Sequence, residues 1–233
     1  MREIVFDTET TGLDPKSGHR IVEIGCVELI NHLPTGNNFH RYLNPERDVP
    51  DEVVRVHGLT RDFLANHPTF AEVVADFLDF MGQDAIVAHN AGFDMGFLNH
   101  ELGRLGFPPL PMSRVTDTVQ LARRKFPGAS ASLDALCRRF DIDLSARDKH
   151  GALLDAQLLA EVYLELVGGR QPGLELMGQK PSSNGAGPDP TGTLAVQLRP
   201  PRAHAPSPSE LEAHNAAIAK IKNALWLAGQ ESA

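Results

Sequence analysis

Asp7 and Glu9 stand one residue apart near the N-terminus, within a segment of β-formers. On an extended strand, residues two apart share a face with Cα atoms about 6.6 Å apart. Two carboxylates so placed can converge on a pair of cations about 3.5–4 Å apart. The pair needs support from elsewhere: with 16 Asp and 14 Glu among 233 residues, about one D-x-E arises by chance. Asp155 supplies some. It carries Leu158, Leu159 and Val162 at i+3, i+4 and i+7, so on a helix its carboxylate lies on the apolar stripe. A charge facing a core has to pair, bind a metal or take up a proton. An acid near a helix N-terminus is the simpler alternative, and metal binding is the favoured reading. Asp94 repeats the pattern with Phe97 and Leu98. It is either an N-terminal cap or a ligand at the carboxyl end of a strand, where open α/β sheets bind what they bind.

His150 precedes Asp155 by five residues, which on one helix leaves the two side chains about 140° apart. The histidine is therefore expected on the loop before the helix, above the acids. Four carboxylates and a histidine from three segments describe a two-cation hydrolase site. Oxygen donors suit Mg²⁺ or Mn²⁺ better than Zn²⁺. The chain has no G-x-x-x-x-G-K-[ST], G-x-G-x-x-G or G-x-S-x-G, so nucleotide-triphosphatase, dinucleotide and serine-hydrolase readings lack support.

The elements that must position these residues are legible in outline. Residues 4–8, 20–30 and 38–43 read as strands joined by short links, an antiparallel meander. Residues 50–56 and 61–64 are short helical candidates, and Thr69-x-x-Glu72 is a capping box for a helix that stops at Gly82. A strand at 85–89, a helix at 94–105, a strand at 114–116 and helices at 118–125, 133–140 and 151–167 follow. The fold class is α/β: a mixed five-stranded sheet with helices on both faces. Asp117, Asp134, Asp141, Asp143 and Asp148 read as caps and solvated acids.

Residues 168–209 break this pattern, with 7 Gly and 8 Pro in 42 residues, the composition of a flexible linker. At Ser207-Pro208-Ser209-Glu210 a capping box reappears with proline at the first helical position. Leu211, His214, Ile218, Ile221 and Leu225 then form a one-sided stripe. The layout is a domain (1–167), a linker (168–206) and a C-terminal helix (207–233). A helix of about 18 residues is marginal alone, so its stripe calls for a partner, with Leu225 and Trp226 as anchors.

The motifs Phe6-Asp7-Thr8-Glu9-Thr10-Thr11-Gly12, His89-Asn90-Ala91-Gly92-Phe93-Asp94 and His150-x4-Asp155 resemble the histidine-containing branch of the DEDD exonucleases, which are ribonuclease H-like. The segments 150–164 and Val56-His57-Gly58-Leu59-Thr60 look closer still to the proofreading epsilon-subunit family of bacterial DNA polymerase III. The resemblance covers residues 1–170 strongly and the C-terminal helix weakly. It implies that Asp7, Glu9, Asp94 and Asp155 hold two divalent cations, and that His150 is the general base deprotonating the attacking water. Thr10, His57 and Phe93 match positions lining the pocket of the 3′-terminal nucleotide. It further implies 3′→5′ removal of nucleoside monophosphates from DNA 3′ ends, docking of the last helix on the polymerase catalytic subunit, and a place for a small theta-like subunit. Gln171-Pro172-Gly173-Leu174-Glu175-Leu176 resembles the Q-x-x-L-x-[LF] peptides that bind the sliding clamp, through Gln171, Leu174 and Leu176.

Charge fits a subunit better than a free enzyme. The net charge is −8, and residues 168–233 hold 6 basic and 5 acidic side chains, so the first 167 residues carry the whole deficit. An acidic domain has no electrostatic grip on nucleic acid of its own; cations or a partner must supply it. The rival readings are a stand-alone DEDD RNA exonuclease, which has no use for a linker and docking helix, and a non-catalytic adaptor, whose mark would be loss of a site residue. There is no run of 18 apolar residues and no apolar leader, and Cys26 and Cys137 form no C-x-x-C. The expected location is the cytoplasm.

Overall fold

The apolar run at the N-terminus becomes β1 (Arg2–Thr10), the central strand of a five-stranded sheet. A computed structural model describes residues 1–145, 147, 149–168 and 206–221. In it β1 pairs antiparallel with β2 (Ile21–Ile30), and β2 with β3 (Leu33–Tyr42). Asn31 and His32 link these last two strands with φ of 52° and 67°, the left-handed pair whose twist suits a two-residue hairpin. β3 thus begins five residues before the segment 38–43 read from sequence. Its first six residues are exposed on both faces, so they show none of the alternation that marks a half-buried strand.

Between β3 and the next strand lie α1 (Asp51–His57), α2 (Arg61–Leu64) and α3 (Phe70–Met81). The capping box of α3 forms as read: the Thr69 N–H donates to the Glu72 carboxylate at 2.7 Å. β4 (Ala85–Ala88) then lies parallel to β1 on its free side. α4 (Ala91–Arg104) follows, starting three residues earlier than read. Asn90 in the left-handed region is its N-cap, so Asp94 sits inside the first turn and is not the cap. β5 (Val115–Asp117) completes the order β3-β2-β1-β4-β5. α5 (Thr118–Lys125), α6 (Leu133–Arg139) and α7 (Ala152–Val167) close the domain.

Two apolar layers hold the sheet. Ile4 and Phe6 point to one face, against Phe70 and Phe77 of α3 and Phe97 and Leu98 of α4. Val5 and Val87 point to the other, against Leu136 of α6 and Leu159 and Val162 of α7. Each fully buried side chain of this size stabilises the fold by about 1.5–3 kcal/mol. Phe6→Ala would cost roughly 3–5 kcal/mol, because the cavity left between sheet and helices adds to the lost transfer energy.

The chain divides into two units, Met1–Met177 and Gly178–Ala233. In the second, Ser207 caps α8 (Pro208–Ile218), its N–H donating to the Glu210 carboxylate at 2.7 Å. This helix stops at Ile218 and turns at Ala219 and Lys220. Ile221 is therefore off the helix, where the stripe read from sequence continued through it. Leu225 and Trp226, and the segment containing Gln171, Leu174 and Leu176, lie outside the described residues.

Candidate active site

Strand alternation puts Asp7 and Glu9 on the same face of β1 as Val5, the face that α7 covers, with both side chains partly open to solvent. In the β1–β2 register Asp7 stands opposite Gly25. A Cβ at position 25 would lie 2.3 Å from the carbonyl carbon and oxygen of Ala152 and the nitrogen of Leu153. Because it is absent, the first turn of α7 rests directly on the sheet. That contact delivers Asp155, 4% exposed, to the acids of β1. Glu9, His150 and Asp155 each present a ligand atom within 4.8 Å of the other two.

Asp94 arrives from the opposite layer. Its first-turn position on α4 brings Oδ1 to Thr8, whose backbone N–H and hydroxyl donate to it at 3.1 and 2.7 Å. His150 sits on the loop before α7, as the five-residue spacing required. Its backbone N–H donates to Val56 O at 3.3 Å, and its imidazole Nδ1 is 3.3 Å from Asp155 Oδ2.

Crowding leaves its mark on proton affinity. Burial, then the charges of Asp94, Glu9 and Asp155, hold the Asp7 carboxyl well above the usual carboxylate range. Burial and the neighbouring Asp155, Glu23 and Asp94 push Glu9 up to about 8. Asp94 is pushed up to about 7 by burial, against the Thr8 bonds that pull it down. Mutual repulsion of this kind is relieved by a cation. All-oxygen donors with one imidazole fit hard divalent ions, which such acids would take up with release of protons.

Four further residues complete the site, two of them, Thr8 and His89, within the motifs quoted above. Arg147 forks onto Asp155, with Nε and Nη2 each 2.6 Å from one of its oxygens. It also pairs with Asp134 and donates from Nη2 to His150 Nδ1 at 3.0 Å. So Asp155 does pair, one of the outcomes its buried position demanded. Asp134, read as a cap or solvated acid, lines an open cavity of about 300 Å³ with Asp7, His89, Arg147, His150 and Asp155. His89 is anchored by Nδ1 on the Thr118 hydroxyl at 2.8 Å, and burial lowers its pKa. Thr8, the fourth, fixes Asp94. Arg147 had one signal: a buried acid needs a cation, and few basic residues precede Asp155 closely.

The three residues matched to a nucleotide pocket lie beside this cavity and do not line it. Thr10 is buried, its hydroxyl donating to Gly12 O at 2.6 Å. His57 ends α1, and its Nδ1 accepts the Leu59 N–H at 3.0 Å. That acceptor role puts the proton of the neutral ring on Nε2, a buried atom on the Thr10 backbone side of the ring. Burial lowers the His57 pKa, against a hydrogen bond to the Thr10 backbone and the charge of Glu23, which raise it. Phe93 is half-buried, its ring 5.0 Å from that of Phe97.

Residues 4–163 match the Exonuclease family, RNase_T. The chain is 51% identical over 187 residues to the DNA polymerase III subunit epsilon of Rickettsia felis, covering 79% of this chain and 82% of that one. Identity to the Rickettsia prowazekii subunit is 46% over 230 residues, 95% and 97% of the two chains. To the Escherichia coli K12 subunit it is 50% over 177 residues, 72% of each. Among solved structures, Exonuclease X in complex with 5′ overhanging duplex DNA is 26% identical, with TM-score 0.57 over 71% of this chain and 91% of that one. The nuclease domain of 3′hExo, a DEDDh family member bound to rAMP, shares the fold at TM-score 0.62 and 21% identity, over the same shares. With a family match across most of the chain and relatives at half identity over most of their length, the chain belongs to the DNA polymerase III epsilon-subunit family and is a 3′→5′ exonuclease.

Proposed function

We propose that this exonuclease trims mismatched 3′-terminal nucleotides from DNA, with Asp7, Glu9, Asp94 and Asp155 holding two divalent cations and His150 as general base. The convergence of Glu9, His150 and Asp155 within 4.8 Å, beside Asp7 and Asp94, carries this reading. Hard oxygen donors favour Mg²⁺ or Mn²⁺. When bound, the two ions supply positive charge for the phosphate and a more acidic water. The protein does the positioning. Thr8 fixes one Asp94 oxygen, and Gly25 lets α7 bring Asp155 down. His150, on its loop at the cavity wall, takes the proton of the attacking water; imidazole is the side chain that titrates nearest neutrality. Thr10, His57 and Phe93 border the 3′-terminal nucleotide.

The wider assembly follows from charge and from the tail. A first unit short of positive charge needs a polymerase to hold the DNA. Alignment with the Rickettsia prowazekii subunit over 95% of this chain extends into the tail. The layout is an exonuclease domain (1–167), a linker (168–206) and a docking segment (207–233). Docking on the polymerase catalytic subunit uses Leu225 and Trp226, a weak sliding-clamp contact uses Gln171, Leu174 and Leu176, and a theta-like subunit is a further partner. Among the described residues no helix is long and apolar enough to cross a membrane; a cytoplasmic site of action fits replication.

End-labelled mismatched-primer DNA, paired-primer DNA and single-stranded RNA, each with Mg²⁺, test the substrate. Stepwise 3′ shortening, fastest on the mismatched primer and absent in Asp7→Ala or EDTA, is expected. Faster loss of the RNA would overturn the proofreading assignment.

A further inference from the structure

One basic side chain answers the acids of the site. Arg147 is nine-tenths buried, and its fork occupies both oxygens of Asp155, at 2.6 Å each. Bidentate, charge-assisted pairs of this kind are among the stronger polar contacts a protein makes. A divalent ion drawing on Asp155 meets the guanidinium at either oxygen, and like charges a few ångströms apart repel. Asp134, the other carboxylate Arg147 touches, is different. It lies in the first turn of α6 with its side chain 44% exposed, outside the four acids assigned to the ions. Its bond to Arg147 can survive the arrival of an ion at Asp155.

We propose that Arg147 is an exchangeable counter-cation: it holds Asp155 until a divalent ion takes that carboxylate, then stays at the cavity rim on Asp134. The proposal rests on reading Asp155 as an ion ligand. The competing role is a fixed brace that orients Asp155 for the ion, as outer partners often do for ligating carboxylates. The two roles predict opposite signs. A brace removed weakens ion binding; a competitor removed strengthens it.

The exchange also bears on His150. While Arg147 Nη2 donates to Nδ1, a neutral imidazole carries its proton on Nε2. Once the guanidinium leaves, Nδ1 can donate to Asp155 Oδ2, 3.3 Å away, and Nε2 becomes an acceptor. Arg147 is thus a positioning residue for the base as well as a rival of the ion.

The test is calorimetric titration of Mn²⁺ into the full-length, EDTA-stripped chain, with melting temperatures measured in parallel. Arg147→Gln is expected to bind Mn²⁺ about tenfold more tightly than wild type, the scale of a lost charge-assisted bond. It should melt lower when stripped, and gain more on Mn²⁺ addition. Asp134→Asn, which removes the resting place, should bind a few-fold more weakly. The double variant should match Arg147→Gln, because Asp134 acts through Arg147. A double variant weaker than Arg147→Gln by the full Asp134→Asn factor would mean that Asp134 acts by charge alone, and overturns the exchange. Weaker or unchanged Mn²⁺ binding in Arg147→Gln overturns it in favour of the brace. Should Arg147→Gln fail to fold, Arg147→Lys keeps the charge but loses the fork; tighter binding supports exchange, and equal or weaker binding refutes it. Wild type that binds no Mn²⁺ would instead remove the metal reading itself.

Discussion

β1 carries buried or half-buried acids at both ends, on one face and under one helix, yet the two ends differ in kind. At the start, Glu3 is 1% exposed; Oε1 accepts the Tyr163 hydroxyl at 2.7 Å. Oε2 lies 2.7 Å from His32 Nδ1, off the hydrogen-bond direction. Its company is a phenol and an imidazole, and the corner is structural. At the other end Asp7 and Glu9 face Asp94 and Asp155, and the company of an acid is other acids. Burial alone does not make a carboxylate functional. What distinguishes the site is acids gathered against one another, with Gly25 letting α7 bring Asp155 in and Thr8 and Arg147 answering the repulsion only in part.

The largest effect should come from the crowded end. Asp7→Asn is expected to lower the exonuclease rate roughly 10³-fold, with a melting temperature equal to or above wild type, since one repelling charge is gone. Unchanged turnover on labelled single-stranded DNA would break the contrast. At the quiet end, Glu3→Ala should leave turnover near wild type while costing about 1–3 kcal/mol, the cost of stranding a buried hydroxyl. Chemical denaturation and turnover together read both halves of the comparison.

Gly25→Ala comes next. A Cβ 2.3 Å from the α7 backbone must push the helix off the sheet and Asp155 away from Asp7. A displacement near 1 Å costs about 10²-fold in rate, and overpacking about 1–3 kcal/mol. Thr8→Val keeps the backbone donor to Asp94 and removes the hydroxyl. Loss of one donor to a charged group predicts about tenfold slower turnover and a pH–rate profile moved upward, because the bond that lowers the Asp94 pKa is gone.

The smallest effect is on stability against pH. Asp94 at about 7 and Glu9 at about 8 bind protons more tightly folded than unfolded, where carboxylates titrate near 4. Their contribution to stability is complete below about pH 4 and is lost as pH rises through about 7 to 8. EDTA-treated protein should therefore show a lower urea midpoint at pH 9 than at pH 5. Asp94→Asn should narrow that gap, and saturating Mn²⁺ should oppose it, since binding favours the ionised acids.

Much of this was legible in the sequence. Period-two spacing set Asp7 beside Glu9, and the five-residue gap put His150 on a loop rather than on the helix of Asp155. The stripe of Leu158, Leu159 and Val162 marked Asp155 as buried. Other features left no periodic trace. Thr8 belongs to the opposite face by alternation, so its bond to Asp94 depends on where α4 begins, and that is set by the left-handed Asn90. Gly25 reads as a weak spot in a strand until the helix above it is in place. Arg147 stands on an irregular loop, and its fork exists only once that loop and α7 are folded together. The first half of β3 and the early stop of α8 were missed because exposed polar strands and short helix ends carry little apolar pattern.

The central claim is that four acids of the first unit hold two ions. Mn²⁺ titrated into the EDTA-stripped protein at pH 7, with heats compared in two buffers of different ionisation enthalpy, counts ions and protons at once. The account predicts two Mn²⁺ per chain with proton release, and fewer than two in Asp7→Asn and Asp94→Asn. Two ions bound equally well by both variants, or no ion bound by wild type, would contradict it.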